Sequence, residues 1–317
     1  MKLIDGKALL LKLRNPSRVT KTIPSSIQVN KHEVKVNLGI DEAHTLKTLG
    51  IKSPSPIETR YQWSGKHKPF AHQKTTAAFL TMNRKAFCFN EQGTGKTASA
   101  IWATDFLMQQ GKVRRALVIC PLSIMDSAWR GDLETFAPHR TVDVAHGTPI
   151  KRKAILGQGA DFVIINYDGV DIVRDEILNG KFDLIIVDEA THYKNAQSKR
   201  WKTLNKLITD KTWLWLMTGT PAAQSPLDAY GLAKLVDFTA VPRFFGSFRD
   251  MVMTKVTQFR WVVKDGASDL VHAILQPAIR FTKEECLDLP PMVYVKRKVE
   301  LTRQQLKYYQ LLKKRMT

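Results

Sequence analysis

Five short runs of the chain are apolar from end to end: Ala86–Phe89, Ala116–Cys120, Phe162–Ile165, Leu184–Val187 and Trp213–Met217. Between them lie segments of helical length, Ala98–Gln110, Ser123–Phe136, Val170–Leu178, Lys199–Ile208 and Leu227–Val236. A strand with no polar face must be covered on both sides, and strands separated by helices pair in parallel. The alternation, which begins near Trp63, predicts a doubly wound α/β domain. After Asp237 it stops, and an irregular, mainly helical stretch is expected to about Gln276. A strand-like run, Val293–Leu301, then leads into a basic amphipathic helix, Gln304–Arg315.

The first sixty residues read differently. Lys7–Leu13, Arg18–Ile23 and Glu33–Leu38 are expected as three short strands, and Asp41–Leu49 as a short helix. Ser53-Pro54-Ser55-Pro56 follows as a linker. The expected organisation is thus a small β-rich module over 1–60, an α/β domain over 61–295 with a helical insertion near 238–276, and a basic strand–helix linker over 296–317.

Chemistry concentrates where the apolar runs end. Phe89-Asn90-Glu91-Gln92-Gly93-Thr94-Gly95-Lys96-Thr97 follows one strand and opens a helix, the context a phosphate-binding loop requires. Asn90 holds the place of the usual first glycine, but Gly-x-Gly-Lys-Thr is intact. The glycines let backbone N–H groups curl around phosphates, and the helix N-terminus adds a favourable dipole. Lys96 is placed to reach the β/γ-phosphates, and the Thr97 hydroxyl to ligate Mg²⁺. In Leu184-Ile185-Ile186-Val187-Asp188-Glu189 a buried strand projects two carboxylates from its C-terminal end, where α/β sheets bind ligands. Asp188 suits Mg²⁺, and Glu189 suits the orientation of an attacking water, because phosphoryl transfer needs positioning and charge compensation. Trp215-Leu216-Met217-Thr218-Gly219-Thr220-Pro221 repeats the geometry with hydroxyls suited to sensing a terminal phosphate.

These motifs, in this order, resemble helicase superfamily two, and finer features are similar to its Swi/Snf branch of double-stranded-DNA translocases. Pro69-Phe70-Ala71-His72-Gln73 resembles the element whose glutamine reads adenine; Pro121-Leu122-Ser123 with Trp129, a DNA-facing loop; Ile165-Asn166-Tyr167-Asp168, a strand-end tyrosine motif. Lys194-Asn195, Ala278-Ile279-Arg280-Phe281-Thr282-Lys283 and Leu289-Pro290-Pro291 resemble further elements of the branch. The resemblance covers about residues 65–312. It implies a RecA-like lobe that uses ATP and Mg²⁺, with Lys96, Asp188 and Glu189 catalytic and Thr97 and Asp188 on the metal. The nucleotide would lie on Gln73, Gln92, Gly93, Thr94, Gly95, Lys96, Thr97 and Ala98. Thr191 or His192 would couple to Thr218, Gly219 and Thr220, and duplex DNA would meet Pro121, Ser123, Asn166 and Tyr167. Thr191 stands where the family has a histidine, with His192 one step later.

The family also implies a second RecA-like lobe carrying arginine fingers, each contributing about 10³–10⁵ in rate. No further strand–helix series follows Leu301, so the chain is expected to be one lobe, to meet the other in cis or in trans, and to hydrolyse ATP poorly alone. The motor subunit of a restriction or repair complex, and a nucleotide-gated DNA-binding module, stand as other readings.

Composition enters mainly through charge. Lys and Arg total 49 against 29 Asp and Glu, a net +20 that draws polyanions such as nucleic acid. No run approaches the ~18 apolar residues of a membrane span. The one apolar stretch near the start, Ala8–Leu11, is too short for a signal peptide. Cys88, Cys120 and Cys286 lie far apart and form no CxxC, which fits neither a disulfide framework nor a zinc site and points to an intracellular setting. Residues 1–60 are themselves basic, so this module is expected either to grip DNA as an accessory or to pack on the motor lobe as a sheet extension. The basic run from Lys296 is open between a solvated helix face and a surface for phosphates or the second lobe.

Overall fold

The structure is a computed structural model that describes residues 1–222, 224–258, 260–286, 295 and 297–316. It divides into two units, Met1–Cys286 and Leu287–Thr317, the second containing the helix Arg303–Met316.

The first unit opens with an antiparallel sheet of β1 (Lys2–Ile4), β2 (Ala8–Lys12), β3 (Ile27–Gln28) and β4 (Glu33–Asn37), in the order β1-β2-β4-β3. The expected strand Arg18–Ile23 is instead a helix, Ser17–Thr22. Val19 and Ile23 are four residues apart as well as alternating with Lys21, so both periods fit them. Pro16 at the cap decides for the helix, and Val19 and Ile23 are buried against Leu9, Leu11, Val34 and Val36. The Ser-Pro-Ser-Pro stretch runs into a helix, Pro56–Arg60. The sheet and the α/β domain form one compact unit, with Ile40 and Ile57 buried among the domain's own core residues. Lys112 and Asp41 pair at 2.5 Å across the junction.

The domain is built on a seven-stranded parallel sheet. Its strands are β5 (Lys85–Cys88), β6 (Ala116–Cys120), β7 (Val142–Val144), β8 (Phe162–Asn166), β9 (Leu184–Val187), β10 (Trp213–Met217) and, after a hairpin of β11 (Met253–Lys255) and β12 (Trp261–Val263), β13 (Ala278–Ile279). The order across the sheet is β13-β5-β10-β9-β6-β8-β7. Alternate residues of each central strand serve opposite faces. Phe87, Leu117, Ile119, Val163, Ile165, Ile185, Val187, Leu214 and Leu216 pack with the helices Lys199–Leu207 and Ala229–Val236. Ala86, Cys88, Val118, Ile164, Ile186, Trp215 and Met217 pack with Ala71–Thr81 and Lys96–Gln109.

The insertion stretch, expected to be helical, holds two helices, Phe245–Val252 and Ala267–Ile274, with the β11–β12 hairpin between them. Of the expected strand Val293–Leu301, the described residues Val295 and 297–301 form none, and Val295 and Val299 are exposed. Leu289-Pro290-Pro291 and Lys296 lie outside the described residues. Among the described residues, no helix is long and apolar enough to cross a membrane.

Candidate nucleotide and nucleic-acid site

β5, β10 and β9 are neighbours, so the loops that follow them open side by side at one edge of the sheet. Gly93 and Gly95 carry left-handed backbone, φ +84° and +79°, and Gly95 caps the helix Lys96–Gln109. A Cβ on Gly95 would stand 2.0 Å from Gln73 Nε2, so only glycine lets the loop close against the Ala71–Thr81 helix. That closure is hydrogen-bonded. The Thr94 carbonyl accepts from His72 Nε2 at 2.8 Å and from Gln73 Nε2 at 3.4 Å, while Gln73 Oε1 accepts from the Phe70 N–H at 2.9 Å. Asn90, fully buried, donates to Thr76 Oγ1 at 2.8 Å and so pins the start of the loop to the same helix. Lys96 and Ala98 are buried at the helix start, and Thr97 is half-buried beside them.

Asp188 stands at the tip of β9 and is 6% exposed. Its Oδ2 accepts from Trp129 Nε1 at 3.0 Å and its Oδ1 from the Glu189 N–H at 3.0 Å. Burial pushes its carboxyl above the ordinary aspartate value, against the opposing pull of Trp129 and Lys96. Glu189 adopts left-handed backbone, φ +46° and ψ +54°, which is uncommon for a side chain of this kind and costs about 1–3 kcal/mol. The turn aims its carboxylate between two loops: Gln92 Nε2 donates to Oε1 at 3.3 Å and Thr218 Oγ1 to Oε2 at 3.4 Å. The Thr220 N–H in turn donates to Thr218 Oγ1 at 3.3 Å. Gly219 lies against the phosphate-loop backbone, where a Cβ would meet Glu91 Cα at 3.6 Å.

The residues expected on the loops after β5, β9 and β10 are therefore brought together around Glu189. Thr191 and His192 lie in a 3₁₀ turn, Ala190–Tyr193, and the His192 ring packs on Tyr167 with centroids 4.6 Å apart. Among the described residues, no hydrogen bond joins either of them to Thr218, Gly219 or Thr220. Tyr167 is buried, and its hydroxyl donates to the Asp188 carbonyl at 2.7 Å, a brace behind β9. Pro121 and Asn166 leave adjacent strands side by side, since Cys120 and Asn166 are partners in the β6–β8 register. Asn166 Oδ1 accepts from Arg152 Nη1 at 2.9 Å, and Ser123 is exposed.

The sequence itself does not announce the bonds of Trp129 to Asp188 or of His72 to Thr94. Trp129 reaches Asp188 across 59 residues from a π-helical turn, Met125–Arg130, a distortion frequent at functional sites. A tryptophan soon after a strand-end loop is a signal only once the strands are in register.

A model of the SNF2-related domain matches residues 72–317. The nuclear protein STH1/NPS1 of Saccharomyces cerevisiae is 30% identical over 246 residues, 71% of this chain and 17% of that protein. The uncharacterized ATP-dependent helicase YqhH of Bacillus subtilis is 27% identical over 172 residues, 53% of this chain and 29% of that one. The chain thus spans less than a third of either. Among solved structures, the Sulfolobus solfataricus SWI2/SNF2 ATPase core in complex with dsDNA superposes with a TM-score of 0.59 at 22% identity, covering 70% of this chain and 46% of that one. The fold agrees with that core, and the match over residues 72–317 takes in the loops after β5, β9 and β10 together, so the chain belongs to the SNF2-related family.

Proposed function

We propose that the chain is the first motor lobe of an ATP-dependent translocase of double-stranded DNA. The observation that carries the reading is the meeting of three loops on Glu189, which accepts from Gln92 on the phosphate loop and from Thr218 beyond β10. A carboxylate held between those loops at a strained turn is suited to orient water against a terminal phosphate. In this reading Gln73 reads adenine, the N–H groups from Gln92 to Ala98 wrap the phosphates, and Lys96 supplies their counter-charge. Mg²⁺ usually takes one or two carboxylates plus substrate phosphates and water. Asp188 and the Thr97 hydroxyl fit that donor set, and the ion would neutralise charge developing on the phosphates. Thr218 with Gly219 and Thr220 relays occupancy, and Thr191 or His192 contributes from the neighbouring turn.

Duplex DNA is the proposed partner at Pro121, Ser123, Asn166 and the Tyr167 turn. The net charge of +20 supports it, as does the fold shared with a DNA-bound core. A second RecA-like lobe, in cis or in trans, would close on the site. The N-terminal sheet is read as a fixed extension of the lobe, because Ile40 and Ile57 belong to its core. The test is Mg²⁺-dependent ATP hydrolysis with and without duplex DNA, the second lobe being supplied. Calorimetry on Lys96→Ala should show nucleotide binding largely lost; equal affinity in both proteins would overturn the phosphate-loop assignment.

A further inference from the structure

β13 does more than complete the sheet. The N–H groups of Phe87, Phe89 and Glu91 donate to the carbonyls of Pro277 (3.0 Å), Ile279 (2.8 Å) and Phe281 (3.0 Å), so the ladder continues past β5 into the phosphate loop itself. The segment after β13 then folds over that loop. Glu91 Oε2 accepts from the Lys283 N–H at 3.2 Å, and Glu91 Oε1 lies 3.7 Å from Arg280 Nη2. The Lys283 side chain crosses the turn, its Cε 3.7 Å from where a Cβ on Gly93 would stand. Two cations therefore flank the loop from this segment, and they differ. Arg280 is paired with Glu91, whereas the Lys283 ammonium has no ion pair among the described residues.

An uncommitted ammonium beside a ring of N–H donors adds to a field that already favours a polyanion. We propose that Lys283 is a second phosphate-contacting cation of the nucleotide site, reaching the phosphate chain over Gly93 while Lys96 reaches it from the helix start. The proposal rests on the reading of Gly93–Thr97 as a nucleotide site. It assigns the segment after β13 a direct part in binding rather than a purely structural one.

The ammonium can be removed while the packing is kept. Lys283→Met retains the aliphatic arm across Gly93 and the backbone N–H that Glu91 accepts, so the clasp and the melting temperature should be unchanged. Calorimetry with ADP, ATP and AMP, each with Mg²⁺, is the measurement. For ADP and ATP the affinity should fall about tenfold, the scale of one charge-assisted contact, and less for AMP. Lys283→Arg should restore most of it. Unchanged ADP and ATP affinity in Lys283→Met, with binding lost in Lys96→Ala, would overturn the role of Lys283 alone. Unchanged affinity in both variants would overturn the nucleotide site itself. A loss equal for all three nucleotides would assign Lys283 to the shape of the loop and also overturn the proposal.

Discussion

Asp105 and Asp188 are both buried, and their surroundings are opposite. Asp105, fully buried near the end of the Lys96–Gln109 helix, accepts from Tyr61 Oη (2.6 Å), Gln109 Nε2 (3.0 Å), His139 Nε2 (2.9 Å) and Arg140 Nε (2.7 Å). A carboxylate offers about four acceptor sites, and all are used. Among the described residues, Asp188 has one side-chain donor, Trp129, and the N–H of the next residue. The saturated group ties the Tyr61 segment and the His139–Arg140 turn to a helix, whereas Asp188 keeps the lone pairs that its proposed role on Mg²⁺ needs. Burial alone does not separate a structural carboxylate from a chemical one. The donors around each of these two differ in number, four side chains against one.

The strongest way to break this contrast is to remove each carboxylate and measure stability by urea unfolding. Asp105→Ala leaves the Tyr61 hydroxyl and the Arg140 guanidinium without their shared acceptor, and should cost about 3–5 kcal/mol. Asp188→Asn should change stability by less than about 1 kcal/mol while abolishing the Mg²⁺ dependence of nucleotide affinity. Equal costs would erase the distinction.

Glu189→Gln comes next in size. The substitution keeps side-chain volume at the left-handed turn but removes the charge proposed to position water. With the second lobe present, turnover should drop about 10²–10³-fold and nucleotide affinity should hold. Parallel loss of affinity would mean that the carboxylate holds the nucleotide rather than the water.

How far the sequence disclosed this depends on where each constraint resides. The strands β6, β9 and β10 are legible to the residue because Ala116–Cys120, Leu184–Val187 and Trp213–Met217 are apolar on both faces. β7 and β13, three and two residues long, are edge strands defined by their neighbours, and Val142-Asp143-Val144 or Ala278-Ile279 alone carries no period. The phosphate loop, the Asp188-Glu189 pair and Thr218 are local patterns at strand ends and could be read. The bonds from Trp129 to Asp188 and from His72 to Thr94 span 59 and 22 residues and exist only after folding. The helix at Ser17–Thr22 is ambiguous in sequence because Val19, Lys21 and Ile23 satisfy the strand period and Val19 and Ile23 the helical one.

A pH series sharpens the contrast at moderate scale. Because burial raises the Asp188 carboxyl above its ordinary 3.8, the folded state takes up its proton more readily than the unfolded chain. This contribution to stability is full below about 3.8 and is lost as pH rises through the raised value. Nucleotide affinity in Mg²⁺ should move the other way, increasing over the same window as the carboxylate forms. In Asp188→Asn both trends should vanish from that window. A wild-type stability curve that parallels the variant's would show that Asp188 titrates as an ordinary aspartate.

The smallest expected effect concerns the proposed relay between loops. Thr218 Oγ1 donates to Glu189 at 3.4 Å and accepts from the Thr220 N–H at 3.3 Å, both long and individually weak bonds. Thr218→Val preserves shape at a fully buried position and deletes only the hydroxyl. With the second lobe supplied, DNA-stimulated turnover should fall three- to tenfold, about 0.6–1.4 kcal/mol. His192→Ala should cost less than about threefold, about 0.6 kcal/mol, because that ring rests on Tyr167, itself under the Arg200 guanidinium at 5.0 Å. If His192→Ala proves the costlier of the two, the relay runs through the 3₁₀ turn, and the donors around Glu189 only orient it. If Thr218→Val does, the loops meeting at Glu189 carry the signal directly, and its strained backbone sets which loop the carboxylate faces.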